Sequence, residues 1–256
     1  MKHLLFIIVP LLFSLGATAQ KTELDSLNSR KAAGNGLFRV AYAAQVPTGD
    51  FADRFGFSNT IGASAGYKTK SNWIFTIGGY YLFGDDVKAK NTLLSSMTNS
   101  SGLIIDQNGD QAFVNISQQG YMLDVQIAKL LPWGMANPNS GIIIGIGGGF
   151  YEHWIGLRAD GNTVPQLVED YQKGYDRLTN GMFIQEFIGY HFQGESRLLN
   201  FYGGFEFTQG FAGNRRSYDI PTMQKIDDKY TDFLFGFKVG WMMPFYKREK
   251  DKYYYY

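Results

Sequence analysis

From Gly36 onward the chain alternates apolar positions with polar or glycine positions at a period of two, the pattern of a β-strand with unlike faces. Phe38, Val40, Tyr42, Ala44 and Val46 share one face of the first segment; Arg39, Ala41, Ala43 and Gln45 share the other. Ile61, Ala63, Ala65 and Tyr67 oppose Thr60, Gly62, Ser64, Gly66 and Lys68, and Trp73, Phe75, Ile77, Gly79, Tyr81 and Phe83 make a third apolar face. Tyr121, Leu123, Val125 and Ile127 oppose Gly120, Asp124 and Gln126, and Ile142, Ile144, Ile146 and Phe150 oppose Gly141, Gly145, Gly147 and Gly149. Phe201, Phe205 and Phe207 oppose Asn200, Tyr202, Gly204, Glu206 and Thr208, and Phe233, Phe235, Phe237, Val239, Trp241 and Met243 oppose Asp232, Gly236, Lys238 and Gly240. Met182 to Phe192 admits two registers: either Glu186, or Gln185 with His191, faces the apolar side, unless a bulge resets the pleat.

This makes about eight segments of about ten residues, the signature of a closed antiparallel transmembrane β-barrel, an all-β fold. Lipid cannot satisfy an open strand edge, so a sheet in a membrane has to close. A soluble sandwich also alternates, but its exposed face would carry Lys, Glu and Thr in place of Gly and Ser. The connections are alternately short (70–72, 132–140, 192–197) and long (47–59, 84–118, 152–179, 210–229). That is the spacing of short periplasmic turns and long extracellular loops. Ten strands follow if the 84–118 connection adds a membrane pair.

Composition narrows the classes. Aromatics are 16% of the chain, charged residues 18%, glycines number 31, and cysteine is absent. The richness in aromatics argues against disorder, and a net charge of +1 offers no basic patch for nucleic acid. Without cysteine there is no disulfide, thiolate metal site or thiol nucleophile.

The amino terminus has the layout of a Sec-type export signal: Lys2 and His3, the apolar run Leu4 to Leu15, then Ala17-Thr18-Ala19. The domain plan is therefore a signal peptide over 1–19, a periplasmic leader over 20–35, the barrel over 36–246 and a charged, Tyr-rich tail over 247–256. The tail tyrosines suit either the membrane interface or a partner surface.

In the last strand, Lys238-x-Gly240-x-x-Met243-x-Phe245 resembles the sorting signal by which outer-membrane barrels engage the bacterial insertion machinery, although here 11 further residues, Tyr246 to Tyr256, follow it. As a pattern, 36–246 resembles the small outer-membrane β-barrel proteins of Gram-negative bacteria, of the Bacteroidota type. Asp25-Ser26-Leu27 is similar to the O-glycosylation acceptor of that phylum. The resemblance implies eight strands, outer-membrane residence in contact with lipid and lipopolysaccharide, and a role from structural barrel to accessory subunit of a secretion or assembly complex. It carries no catalytic motif and no cofactor.

An eight-stranded barrel has an interior that side chains can fill. Arg39, Lys68, Asp124, Glu206 and Lys238 are expected to point inward, joined by Glu186 in one register. Balanced buried charges imply pairing and a plugged lumen, which disfavours a pore. The alternative is a lipid-modifying hydrolase or acyltransferase, needing a serine with a histidine base. His153, with Ser217, Asp160 or Glu152, is the candidate, but no spacing motif ties them, and Trp154 beside it suggests an interfacial pair. Asp106-x-Asn108-x-Asp110 begins like a calcium loop but lacks the glycine and the closing glutamate. It reads better as a hairpin, Leu103–Asp106 against Ala112–Ile116 around Asn108-Gly109. The aromatic and arginine residues of the long loops, Trp154, Arg158, Tyr171, Arg215 and Arg216, are candidates for contact with another envelope protein or a lipid headgroup.

Overall fold

The computed structural model describes residues 34–95, 97–133, 137–159, 161, 164–194, 200–224 and 228–245. The export signal, nearly all of the leader, the Asp25-Ser26-Leu27 triplet and the C-terminal tail lie outside these residues. Eight strands follow one another: β1 (Asn35–Gly49), β2 (Ser58–Lys68), β3 (Trp73–Gly84), β4 (Val114–Leu131), β5 (Gly141–Ala159), β6 (Thr179–Gln193), β7 (Asn200–Asn214) and β8 (Lys229–Phe245). Each pairs antiparallel with the next, and β8 returns to β1, so the sheet closes as a barrel with no free edge.

The closure is staggered. Passing from Arg39 through successive paired residues, Ser64, Gly78, Asp124, Gly149, Phe183, Gly210 and Asp232, the path re-enters β1 at Gly49, ten residues further along. Such a stagger on eight strands tilts them by roughly 35–45° and leaves an interior wide enough only for side chains. The long connection between β3 and β4 holds the short helix α2 (Lys90–Leu94) and isolated bridges, among them Ile105 to Gln111, but no further barrel strand. Among the described residues the strand count is eight.

The alternation legible in the sequence is the inside–outside alternation of the wall. On β1, Arg39, Ala41, Ala43 and Gln45 are buried, while Phe38, Val40, Tyr42 and Val46 are exposed. In β6 the ambiguity resolves without a bulge: Gln185 and His191 face inward and Glu186 faces outward. At mid-height the exposed face is aliphatic on β3 to β5, with Ile77, Val125 and Ile146, and carries Phe205, Phe235 and Phe237 on β7 and β8; both ends are aromatic, with Trp73, Tyr67 and Phe192 at one and Tyr81, Tyr121 and Phe211 at the other.

Two strands run further than their apolar runs indicate. β4 begins at Val114 and β5 ends at Ala159, with those two residues paired. Trp154 and Arg158 are thus wall residues of β5 and not loop residues, as their place in the 152–179 connection had implied. The reason is that the ladder continues past the apolar band, where its outer face is polar and the hydrophobic pattern no longer reports it.

Candidate functional site

The interior is filled in layers. Near the short turns, Lys68 is fully buried and donates to Asn139 Oδ1 at 2.9 Å, and His191 is fully buried on β6. Above them an apolar layer contains Leu37, Ile74, Leu130, Ile143, Phe187 and Met242.

At mid-height, the Lys238 ammonium forms an ion pair with Glu206, whose other oxygen accepts from Gln45 Nε2 at 3.1 Å. The ammonium also lies 4.7 Å from the centroid of the Tyr80 ring, and the Arg39 guanidinium 4.9 Å from that of Tyr202. Asp124 is buried in the same layer. Of the five inward charges, the structure brings Lys238 and Glu206 into direct contact. Arg39 rests on an aromatic face, and Lys68 sits apart near the short turns.

Gly240 belongs to this layer. A Cβ there would come within 2.4 Å of the Tyr202 ring, so the glycine makes room for the tyrosine that Arg39 covers. Gly240→Ala is expected to destabilise the barrel by about 1–3 kcal/mol through overpacking, read as a lower denaturant midpoint in detergent micelles. An unchanged midpoint would show that Tyr202 moves aside freely.

The mouth at the long-connection end is corked. Gly49, at φ 65°, turns the chain off β1 into the five-residue helix α1 (Asp50–Arg54), a conformation that favours glycine. The Asp50 carboxylate accepts from Thr231 N at 2.7 Å and fixes the helix against β8. Phe51 and Phe55, one turn apart and on the same face, drop inward until both are essentially unexposed. Their ring centroids lie 4.9 and 5.6 Å from that of His153. Between them Arg54 reaches Asp232 Oδ1 at 2.8 Å, donates to Thr179 Oγ1 at 3.2 Å and lies 4.2 Å from the centroid of the Tyr230 ring. Asp232 Oδ2 accepts from the Tyr151 hydroxyl at 2.7 Å and lies 3.6 Å from His153 Nε2.

None of Arg54, Tyr151 and Asp232 had been singled out for this role in the sequence. Asp232 and Tyr151 are legible only as inward positions of their strands, and Arg54 carries no signal at all. His153 is corrected in two respects. It faces inward, on the opposite side of β5 from Trp154, so the two are not an interfacial pair. Its carboxylate neighbour is Asp232. Glu152 faces outward and accepts from Tyr121 and Asn180, Ser217 is exposed, and Asp160 lies outside the described residues. With the imidazole enclosed by Phe51, Phe55 and Tyr151, the cluster anchors a plug, and among the described residues no serine hydroxyl is bonded to His153.

Beyond the mouth the long connections form an apolar cap of their own. Val87, Leu93, Ile104, Leu157, Val164, Leu167 and Tyr175 are buried together with Phe51 and Phe55. Two arginine–aspartate pairs lace the 160–178 and 215–228 connections together. Arg177 grips Asp219 at 3.1 and 3.2 Å, and Arg216 grips Asp176, an interaction that holds its guanidinium above the ordinary arginine range. Arg216 is therefore committed within the chain rather than free for a partner, and Arg215 donates to Asn180 Oδ1. Tyr171 is exposed. Asp219, nearly inaccessible, also accepts from the Thr222 amide and hydroxyl. Asp219→Ala strips Arg177 of its partner, and amide exchange in 160–178 is expected to quicken by about tenfold, the equivalent of about 1.4 kcal/mol. Unaltered exchange there would mean the pair does not hold the cap.

Asp106 is a turn residue, with its carboxylate accepting from the backbone of Asn108 at 2.8 Å and Asp110 at 2.9 Å. The hairpin around Gly109 is a single bridge rather than two full strands, because Ile116 is drawn into β4. Among the described residues no group of three histidine or acidic side chains converges to hold a metal ion.

No protein-family model matches the sequence, and no curated protein matches it. Several solved structures are similar in fold, three of them as follows. Neisserial surface protein A is 8% identical, with 82% of this chain and 97% of that one covered and a TM-score of 0.44. The attachment invasion locus protein Ail of Yersinia pestis is 9% identical, with 82% and 99% covered and a TM-score of 0.38. The outer membrane protein OprG of Pseudomonas aeruginosa is 11% identical, with 84% and 98% covered and a TM-score of 0.35. Likenesses of this size assign neither a family nor an activity. The barrel rests on its own strand pairing.

Proposed function

We propose that this chain is a non-enzymatic outer-membrane barrel of a Gram-negative bacterium, exported through the Sec route, with a lumen closed to solutes. It serves as a structural component or accessory subunit of an envelope complex and acts through its surfaces. The observation that carries this reading is the combination of an apolar exterior with a corked interior: Phe51 and Phe55 fill the mouth, Arg54 is tied down by Asp232, and Lys238–Glu206 closes the layer below. An exterior of that kind suits lipid, and an interior of that kind leaves neither a water path nor an exposed reactive group. The cap and the rim residues Trp154, Arg158 and Tyr171 are the surfaces left for lipopolysaccharide or a partner protein.

In planar bilayers the purified barrel is expected to give no conductance steps. Extracted gently from native outer membranes, it is expected to run in native mass spectrometry with partners in fixed ratio. Stable single-channel steps would overturn the closed lumen, and a lone barrel would restrict the role to a structural one.

The Lys238-to-Phe245 stretch supports recognition by the insertion machinery. Replacing Gly240 and Phe245 together is expected to lower the assembled fraction while export continues, as read by heat-modifiable gel mobility. Gly240→Ala alone separates the packing contribution at Tyr202 from recognition of the exposed Phe245.

A further inference from the structure

Polar side chains on the outer wall are few and mostly engaged. Tyr42 donates to Asn59, and Glu152 accepts from Tyr121 at 2.6 Å and Asn180 at 2.8 Å. Lys129 donates to the Ser71 carbonyl at 2.6 Å and lies 4.9 Å from the centroid of the Trp73 ring. Glu186 differs. It is exposed on the outer face of β6, directly opposite Ile146 of β5 and Phe207 of β7, with Ile184 and Ile188 along its own strand. No hydrogen bond or ion pair from the described residues reaches it.

Its depth follows from the register. Six residues separate it from Phe192, at the short-turn end of the band, and six from Asn180, where the outer face turns polar. At about 3.3 Å per residue along a tilted strand, that is about 15 Å of height either way. Glu186 therefore stands near the middle of an apolar band that in such barrels is about 25 Å tall. A carboxyl group at that depth is costly without a partner, and ionisable groups inside membranes are nearly always paired.

We propose that the β5–β7 outer face around Glu186 is docked within the bilayer by a different integral membrane protein. That partner presents a cationic or amide side chain at mid-bilayer depth. The inference rests on the membrane-subunit reading above and names the chemistry of its partner. Among the described residues, a second copy of this chain supplies no such group at that depth. Arg39, Lys68 and Lys238 face the lumen, and Lys129 sits at the short-turn edge, already held by Ser71 and Trp73. Gln209, the neighbouring outward amide, lies two residues beyond Phe207, so a two-fold pair about the membrane normal does not bring it level with Glu186. Gly148, outward on β5 and paired with Ile184, leaves a shallow recess beside Glu186 in which a partner strand can seat.

The test uses the full chain in its native outer membrane, with a photo-reactive phenylalanine analogue at Ile188 and, as a control on the far wall, at Ile77. The expected result is a discrete adduct from Ile188 and none from Ile77, with the cross-linked peptide belonging to a membrane strand of another protein that carries Arg, Lys, Asn or Gln. Glu186→Leu is expected to cut the adduct by about tenfold or more, while Glu186→Gln, which still hydrogen-bonds, keeps it within about threefold. Both variants are expected to keep the heat-modifiable mobility of the folded barrel, since neither leaves a lumen group unpaired. An adduct to a second copy, an adduct indifferent to Glu186→Leu, or no adduct from a correctly inserted barrel would each overturn the proposal. Absence of the chain from the membrane fraction would overturn the membrane reading beneath it.

Discussion

Lys238→Met is expected to lower the unfolding free energy of the barrel by about 3–5 kcal/mol, because it leaves the Glu206 carboxylate buried without its cation. Glu206 has almost no exposed surface, and once the ammonium is gone the Gln45 amide is the donor left to it among the described residues. The strands around it are closed on both sides, so the carboxylate cannot reach water without opening the wall. The double variant Lys238→Met with Glu206→Gln removes the isolated charge and is expected to recover most of the loss. Urea midpoints in detergent micelles, followed by tryptophan fluorescence, decide between the outcomes. Equal losses in the single and double variants would show that the pair contributes packing and not charge compensation.

Asp232→Ala is expected to have an effect of similar size, about 3–5 kcal/mol, with a different signature. It strands the Arg54 guanidinium beneath the cap and removes the acceptor of the Tyr151 hydroxyl at the same moment. Because Arg54 belongs to α1, the local response is release of the cork: faster proteolysis and amide exchange over 50–57, and conductance steps absent from the parent barrel. Asp232→Asn keeps the shape and one acceptor and should fall in between. Phe51→Ala tests the same plug from its apolar side, where loss of a fully buried ring costs about 3–5 kcal/mol. If Asp232→Ala loosens nothing at 50–57, the helix is held by its phenylalanines alone.

The wall was legible because lipid and lumen impose opposite chemistry on alternate residues, and a strand reports both in its period of two. Hence the facing of Arg39, Lys68, Asp124, Glu206 and Lys238 could be read before any coordinates. Legibility ended where one of these conditions failed. Past the apolar band the outer face of β5 becomes polar, the contrast fades, and Trp154 and Arg158 read as loop. In β6 a carboxyl group on the lipid side breaks the rule that makes the pattern readable, and the register of Met182 to Phe192 stayed open until its neighbours were paired.

The cork and the cap follow a different logic. Arg54 and Asp232 stand 178 residues apart, Arg216 and Asp176 40 apart, and neither pair has a local spacing that announces it. The local alternation of this chain thus determined by itself an inside-out wall of about eight strands, ten if the 84–118 connection paired, with Arg39, Lys68, Asp124, Glu206 and Lys238 turned to the lumen, since each choice of face depends on the residue and its immediate neighbours. Closure brought β8 against β1 and the two ends of the sheet into one mouth. Only that closure decided which charges meet, that α1 fills the opening, and that Glu186 faces outward with no partner among the described residues, because each depends on how residues distant in sequence are brought to the same height in the barrel.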